Sequence, residues 1–137
     1  MKHIGKVVCG VILNHGEILI AKRPEEKSLG GFWEFPGGKV EDGETEEIAL
    51  CRELKEELDL EVEVLHALNP VDYVYPSFAM TLLPYLCRAG RRILKAQEHS
   101  AVEWVSLGDI RNFEFAPADV PIIGQLEETK NYELLVG

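Results

Sequence analysis

Cysteine is scarce in this chain. Cys9, Cys51 and Cys87 are odd in number and far apart, and no Cys-x-x-Cys pair occurs. That excludes a disulfide scaffold, a zinc ribbon and a thiol redox motif, and it fits a reduced, cytoplasmic protein. The three thiols read as small core residues rather than nucleophiles. The four histidines, His99 among them, show no ligand spacing. No apolar run approaches the roughly 18 residues that a membrane span needs. Met1 to Gly10 lacks the charged-then-apolar pattern of a secretory leader. No basic stripe follows the chain, so neither nucleic acid nor membrane is expected as a partner. Repeats, low-complexity tracts and Pro/Gly/Ser linkers are missing as well. The 137 residues read as one domain over 1–137, long enough to bury a core without staples.

What is abundant is negative charge, and it is concentrated. The net charge is −10, from 24 acids against 14 bases. Eleven of those acids and only two bases lie between Glu41 and Glu63. An acidic segment this dense suggests bound cations. Around it the chain alternates strand and helix signals. Val7 to Leu13 is a β-branched run, Asn14-His15-Gly16 is a turn, and Glu17 to Ala21 resumes as a strand. Lys22 to Gly31 reads as a polar loop and Phe32 to Phe35 as a short strand stopped by a tight turn at Pro36-Gly37-Gly38. Glu61 to Leu68, Tyr73 to Tyr75, Ala79 to Arg88 and Ala101 to Val105 read as further strands. Pro84 inside one of them predicts an edge or a bulge. Pro117 opens a second helix running to about Thr129. The helices are too few for a doubly wound parallel sheet. The expected class is α+β, a mixed sheet flanked by helices.

The first helix, Thr45 to Leu58, carries the chemistry. Thr45 is a good N-cap, and Glu46 and Glu47 occupy the first turn, where the helix dipole favours anions. Ile48, Cys51, Leu54 and Leu58 form an apolar stripe. Glu53, Glu56 and Glu57 share another face at i, i+3 and i+4, with Ala49 one turn earlier leaving the backbone open to a ligand. Arg52 can pair with Glu56 but does not neutralise the cluster. Helix propensity gives no reason for three adjacent like charges. A solvated acidic face is one explanation; a hard divalent cation, which prefers oxygen ligands and bridges carboxylates to phosphates, is the other.

The flanking residues decide between them. Gly38 is followed after five residues by Glu44, and seven more lead to Arg52-Glu53-Leu54-Lys55-Glu56-Glu57-Leu58-Asp59-Leu60. This resembles the Nudix box at every specified position but one, since Asp59 stands where the family has glycine. That position ends the helix, and Asp tolerates left-handed geometry next best after glycine. Gly31 to Lys39, with Glu34 and Phe35 at its centre, is similar to the segment leading into the box in the MutT branch of nucleoside triphosphate pyrophosphohydrolases. Ala116-Pro117-Ala118-Asp119-Val120-Pro121 resembles that branch's C-terminal nucleotide-facing segment. It is most similar to members acting on CTP, which carry Asp there, whereas mutator-type members often have Asn.

The resemblance implies a Nudix fold, with the mixed sheet sandwiched between helices, and hydrolysis of a nucleoside triphosphate at the β-phosphorus. It implies Mg²⁺, for which Mn²⁺ can substitute, held by Glu53, Glu56, Glu57 and the Gly37 carbonyl, with Glu98 completing the site. Glu53 or Glu98 would take the proton of the attacking water. Arg52 would orient the carboxylates and Glu44 support them from the edge. Arg23, Glu34, Phe35, Lys39, Phe78 and Asp119 would meet the nucleotide, with Phe35, Tyr75 and Phe78 as candidate stacking residues. Each of these aromatics also reads as a core residue, and Asp119 as a cap of the second helix. The expected partner is a small nucleotide, with cytosine and 8-oxoguanine as the competing bases and the chain a monomer or homodimer. A Nudix hydrolase of another nucleoside diphosphate derivative, and a non-catalytic nucleotide-binding module, are the rival readings.

Overall fold

The computed structural model describes Lys2 to Glu128. The hydrophobic runs on either side of Asn14-His15-Gly16 fold back on each other. β1 (Lys2–Asn14) and β2 (Glu17–Lys22) pair at Leu13↔Ile18 and Asn14↔Glu17. His15 and Gly16, at φ 48° and 79°, supply the two left-handed residues that a tight hairpin turn demands. The strands then part, and the next segment fills the gap. β3 (Trp33–Glu34) pairs with β2, and β4 (Gly37–Lys39) pairs with β1. Between them the Gly10 N–H donates to the Pro36 carbonyl at 2.9 Å. The glycines expected only as a tight turn are thus a strand. β1 offers them an edge, and their missing side chains let the backbones approach.

The rest of the sheet is laid on β1 and β2. β7 (Phe78–Ala89) runs parallel to β1 along nearly its whole length. β5 (Val62–Ala67) and β6 (Val71–Val74) follow one another antiparallel along the far side of β7. β8 (Ala101–Val105) pairs antiparallel with β2. Pro84 therefore lies in an interior strand and not on an edge, the first of the two expectations; the bulge, the second, has its nearest register shift in β5 between Val64 and His66, opposite Cys87 and Leu86. The Pro84 carbonyl accepts the Leu68 N–H at 2.9 Å, so its absent donor faces the break between β5 and β6, where no ladder bond is missed.

Alternation along β1 and β2 sends side chains to two cores. Val8, Ile12 and Leu19 pack with Leu50, Leu54 and Leu58 of α1 (Glu46–Leu58). Cys9, Val11, Ile18 and Ile20 pack with Ile122, Ile123 and Leu126 of α2 (Val120–Glu128). The mixed sheet is sandwiched between helices, as expected. Pro117 opens a 3₁₀ turn to Asp119 rather than the helix itself, and α2 follows it. Thr129, the expected helix end, lies outside the described residues.

α1 starts as its sequence dictates, with Thr45 Oγ1 accepting the Ile48 N–H at 3.2 Å. It ends on Asp59 in the left-handed conformation, φ 50° and ψ 41°, whose N–H donates back to the Leu54 and Lys55 carbonyls. The buried stripe is Ala49, Leu50, Leu54 and Leu58. Ile48 is 58% exposed and Cys51 is exposed too, against the stripe expected. The small Ala49 lets the first turn lie against the sheet and rolls those two outward. Ala49 is accordingly buried and leaves no open backbone for a ligand. Among the described residues, no helix is long and apolar enough to cross a membrane.

Candidate active site

A cleft of about 500 Å³ opens where β1 and β2 part. β4 and α1 supply one end of it, and the Tyr75–Phe78 turn and the segment Ala116–Asp119 supply the other. Arg23, at the end of β2, and the loop bearing Glu98 and His99 close its flank.

Arg52 organises the acidic end. Its Nε and Nη2 grip both oxygens of Glu44 at 2.7 and 2.8 Å, and its Nη1 donates to Glu53 at 2.9 Å and to Glu56 at 3.4 Å. This fork holds the Glu44 carboxyl down at about 2, far below the usual range. Glu53 lies against the backbone of β4, where a Cβ on Gly38 would overlap its carboxylate. The partly buried Glu57 follows one turn on. Burial, then the charge of Glu53 and a hydrogen bond with it, push the Glu57 carboxyl up to about 9, with Glu98 and Glu34 adding to the effect. Its Oε2 is buried and has no hydrogen-bond partner among the described residues. A buried acceptor without a partner is costly, on the order of 1–3 kcal/mol. Glu56, exposed, stands outside the cleft. Glu98 is exposed on its loop at the cleft wall, and the Gln97 N–H beside it donates to the Glu57 carbonyl at 2.8 Å.

Among the described residues, no three His, Cys, Asp or Glu side chains converge closely enough to form a closed metal cage. The donor chemistry nevertheless fits a hard divalent cation. The ligands on offer are all oxygens, the charge of Glu53 helps to keep Glu57 protonated, and a buried Glu57 carboxyl oxygen has no partner among the described residues.

Toward the other end, Glu34 links two neighbours. Its Oε1 accepts from Arg23 Nη1 at 3.1 Å and its Oε2 from His99 Nε2 at 2.9 Å. Arg23 Nε donates to the Ser28 carbonyl at 2.7 Å. Lys39 is exposed at the rim. Asp119 is buried, and its Oδ2 accepts the Phe35 N–H at 2.9 Å across 84 residues of chain. Its carboxylate thus reaches over to β3–β4 rather than capping the second helix. Burial, reinforced by the charge of Glu34, lifts its carboxyl to about 8 against the pull of the Phe35 N–H and Arg23. The Phe35 ring is buried against Phe115, with centroids 5.2 Å apart. Tyr75 is buried with its hydroxyl accepting the Ala118 N–H at 3.0 Å, and Phe78 tilts over it at 4.9 Å, partly exposed. Cys9 is buried under the cleft, its thiol pushed well up by burial and then by Asp119 and Glu34, which suits a core residue and not a nucleophile.

Sequence reasoning brought the acids of α1, Glu98, Arg23, Glu34, Phe35, Lys39, Phe78 and Asp119 to this region. Arg23, Glu34, Phe35, Lys39, Glu57, Phe78, Glu98 and Asp119 line the cleft, whereas Glu53 lies behind Gly38, and Glu56, Arg52 and Glu44 stand off its wall. His99 was missed. Its place next to Glu98 in sequence was the one available signal.

The NUDIX domain family model matches residues 8–125. The chain belongs to the Nudix family. As a Nudix hydrolase it acts on a phosphoric anhydride. The CTP pyrophosphohydrolase of Escherichia coli (strain K12) is 36% identical over 118 residues, covering 86% of this chain and 87% of that protein. The 8-oxo-dGTP diphosphatase of the same organism is 32% identical over 123 residues, covering 89% and 95%. The crystal structure of the MutT Nudix hydrolase from Burkholderia pseudomallei superposes with a TM-score of 0.79 at 28% identity, covering 88% of this chain and 96% of that one. Nudix hydrolases generally work with divalent metal ions, in keeping with the oxygen-only donor set of this one.

Proposed function

We propose that this Nudix hydrolase is a Mg²⁺-dependent nucleoside triphosphate pyrophosphohydrolase, converting a (deoxy)nucleoside triphosphate and water to the monophosphate and pyrophosphate. The observation that carries the reading is the polarity of one continuous cleft. Carboxylates crowd one end, and an aromatic pocket with a buried carboxyl forms the other. Glu53, Glu57 and Glu98 would hold the cation, with Glu56 and the Gly37 carbonyl at its margin. Bound there, the metal supplies neutralisation of phosphate charge and a more acidic water. Arg52 keeps Glu53 in place, and Glu44 keeps Arg52 in place. Arg23 and Lys39 would meet the phosphates. Water attacks the β-phosphorus, the bond from that phosphorus to the α–β bridging oxygen breaks, and the monophosphate leaves with that oxygen. Glu98, exposed and facing the cleft, would accept the water's proton, since Glu53 is already engaged by Arg52 and Glu57.

At the base end Phe78 is the stacking residue, while Phe35 gives packing and the N–H that orients Asp119. An Asp119 carboxyl at about 8 carries its proton at neutral pH. It then offers one donor beside one acceptor. Cytosine presents the matching edge, its amino donor beside the ring N3 acceptor. The preferred substrate would be CTP, dCTP or a C5-modified relative. 8-Oxoguanine offers N7–H beside O6, and it is the second reading, supported by the relatives named for 8-oxo-dGTP. The test is one panel of canonical, C5-modified and 8-oxo triphosphates with Mg²⁺ and a pyrophosphate readout. A preference for the cytosine members over dATP and dTTP is expected. Preference for 8-oxo-dGTP transfers the enzyme to the second reading, and no turnover of any triphosphate ends the proposal.

A further inference from the structure

His99 does something that no ligand spacing announces. Its side chain is 5% exposed, although the loop around it is polar and open. Among the described residues the ring makes one hydrogen bond, Nε2 to Glu34 Oε2 at 2.9 Å, and its Nδ1 is buried without a partner. An ionised carboxylate only accepts, so Nε2 carries the proton and the ring is held for that single bond. Glu34 passes the constraint on through its other oxygen, which accepts from Arg23 Nη1 at 3.1 Å. Arg23 is fixed at Nε as well, by the Ser28 carbonyl at 2.7 Å. With Nε and Nη1 tied, the guanidinium plane is set, and no acceptor among the described residues takes Nη2. The three residues come from the end of β2, from β3 and from the loop entering β8, which lie side by side because β3 and β8 both pair with β2.

We infer that His99 is a positioning residue: through Glu34 it sets the Arg23 guanidinium at the angle that receives an anionic phosphate group of the substrate. The inference rests on the nucleoside triphosphate reading for the identity of that anion. The loop bearing Glu98 does not depend on His99, because main-chain bonds from Gln97 to Glu57 and from Ser100 to Lys22 hold it. Loss of the imidazole should therefore weaken substrate binding and spare the chemical step.

The test compares His99→Leu, which has no donor, with His99→Gln, whose amide can still donate to Glu34. In steady-state kinetics at saturating Mg²⁺, His99→Leu should raise KM by about tenfold or more and change kcat by less than about threefold. His99→Gln should recover most of the loss. In an Arg23→Ala background, His99→Leu should add nothing, since residues acting as one unit are non-additive. Independent losses that multiply, or a fall in kcat at unchanged KM, would overturn the relay. A second measurement needs no substrate. The Arg23 Nε–H, followed by nuclear magnetic resonance, should exchange with solvent about tenfold faster in His99→Leu and at the native rate in His99→Gln. An unchanged exchange rate in His99→Leu rejects the inference whatever the enzyme cleaves. A changed rate in a protein that hydrolyses no triphosphate upholds the relay and rejects the substrate reading alone.

Discussion

The proton on Glu57 ties stability to the proposed metal site at a single residue. In the folded chain burial and the charge of Glu53 push the Glu57 carboxyl up from the ordinary 4.5 to about 9. Between those two pH values the folded protein keeps a proton that the unfolded chain has released. Stability of the metal-free protein must then fall as pH rises across that window. Glu57→Gln removes both the proton and the repulsion. In chelator, its thermal midpoint should equal or exceed that of the native protein at pH 8 and vary less between pH 6 and pH 8. Its turnover at saturating Mg²⁺ should drop by about a thousandfold or more, as befits loss of a metal ligand. Thermal melts at the two pH values and one activity assay check both halves. Near-native turnover would remove Glu57 from the metal site. The like-charged triple on one helix face drew attention to this residue in the sequence, but a solvated face explained it equally well until the resemblance to the Nudix box favoured a metal. The buried oxygen of Glu57, unpaired among the described residues, was not legible there, since that depends on how α1 lies on β4.

At the scale of elements, adjacent glycines in β4 have different jobs. A Cβ on Gly37 would overlap the Val8 carbonyl of β1, and neither backbone can yield. A Cβ on Gly38 would instead overlap the end of the Glu53 side chain, which can swing away. Gly37→Ala should therefore lower the thermal midpoint by about 10 °C or more, whereas Gly38→Ala should melt within about 3 °C of native and lose about a hundredfold in kcat. Equal melting of the two variants would refute the distinction. The helix between Thr45 and Asp59 could be read from sequence because cap, acidic first turn and apolar period agree. β4 could not, since two glycines and a lysine have no strand preference of their own and pair only because β1 and β2 diverge. Pro84 did not reveal its interior place for the same reason, its tolerance being set by where β5 stops and β6 begins. Ile48 and Cys51 misled because apolar spacing alone does not tell which side of a helix a small residue brings to the sheet.

On the scale of the whole molecule, the proposed base pocket is a meeting of distant chain segments. Asp119 comes from the turn before α2, the Phe35 N–H from between β3 and β4, and Phe78 from the start of β7. Sequence could point to Asp119 through its resemblance but could not choose between a helix cap and a base contact, because the partner lies 84 residues away. Burial decides its chemistry. With the carboxyl at about 8, Asp119 is a donor at neutral pH and loses that role as pH rises through 8. KM for the preferred base should therefore rise between pH 7 and pH 9. Asp119→Asn keeps a donor that does not titrate, so its KM should stay flat over the same range. The comparison isolates Asp119 from Glu57, which both proteins share. Asp119→Ala should lower kcat/KM about tenfold or more for the preferred base and much less for a poor one, since a lost polar contact penalises only the substrate that used it. Steady-state kinetics on two bases at three pH values read all of this. Equal losses on every base would make Asp119 a brace for Phe35 and nothing more, and a native KM that ignores pH would mean that the base is read by groups other than this carboxyl.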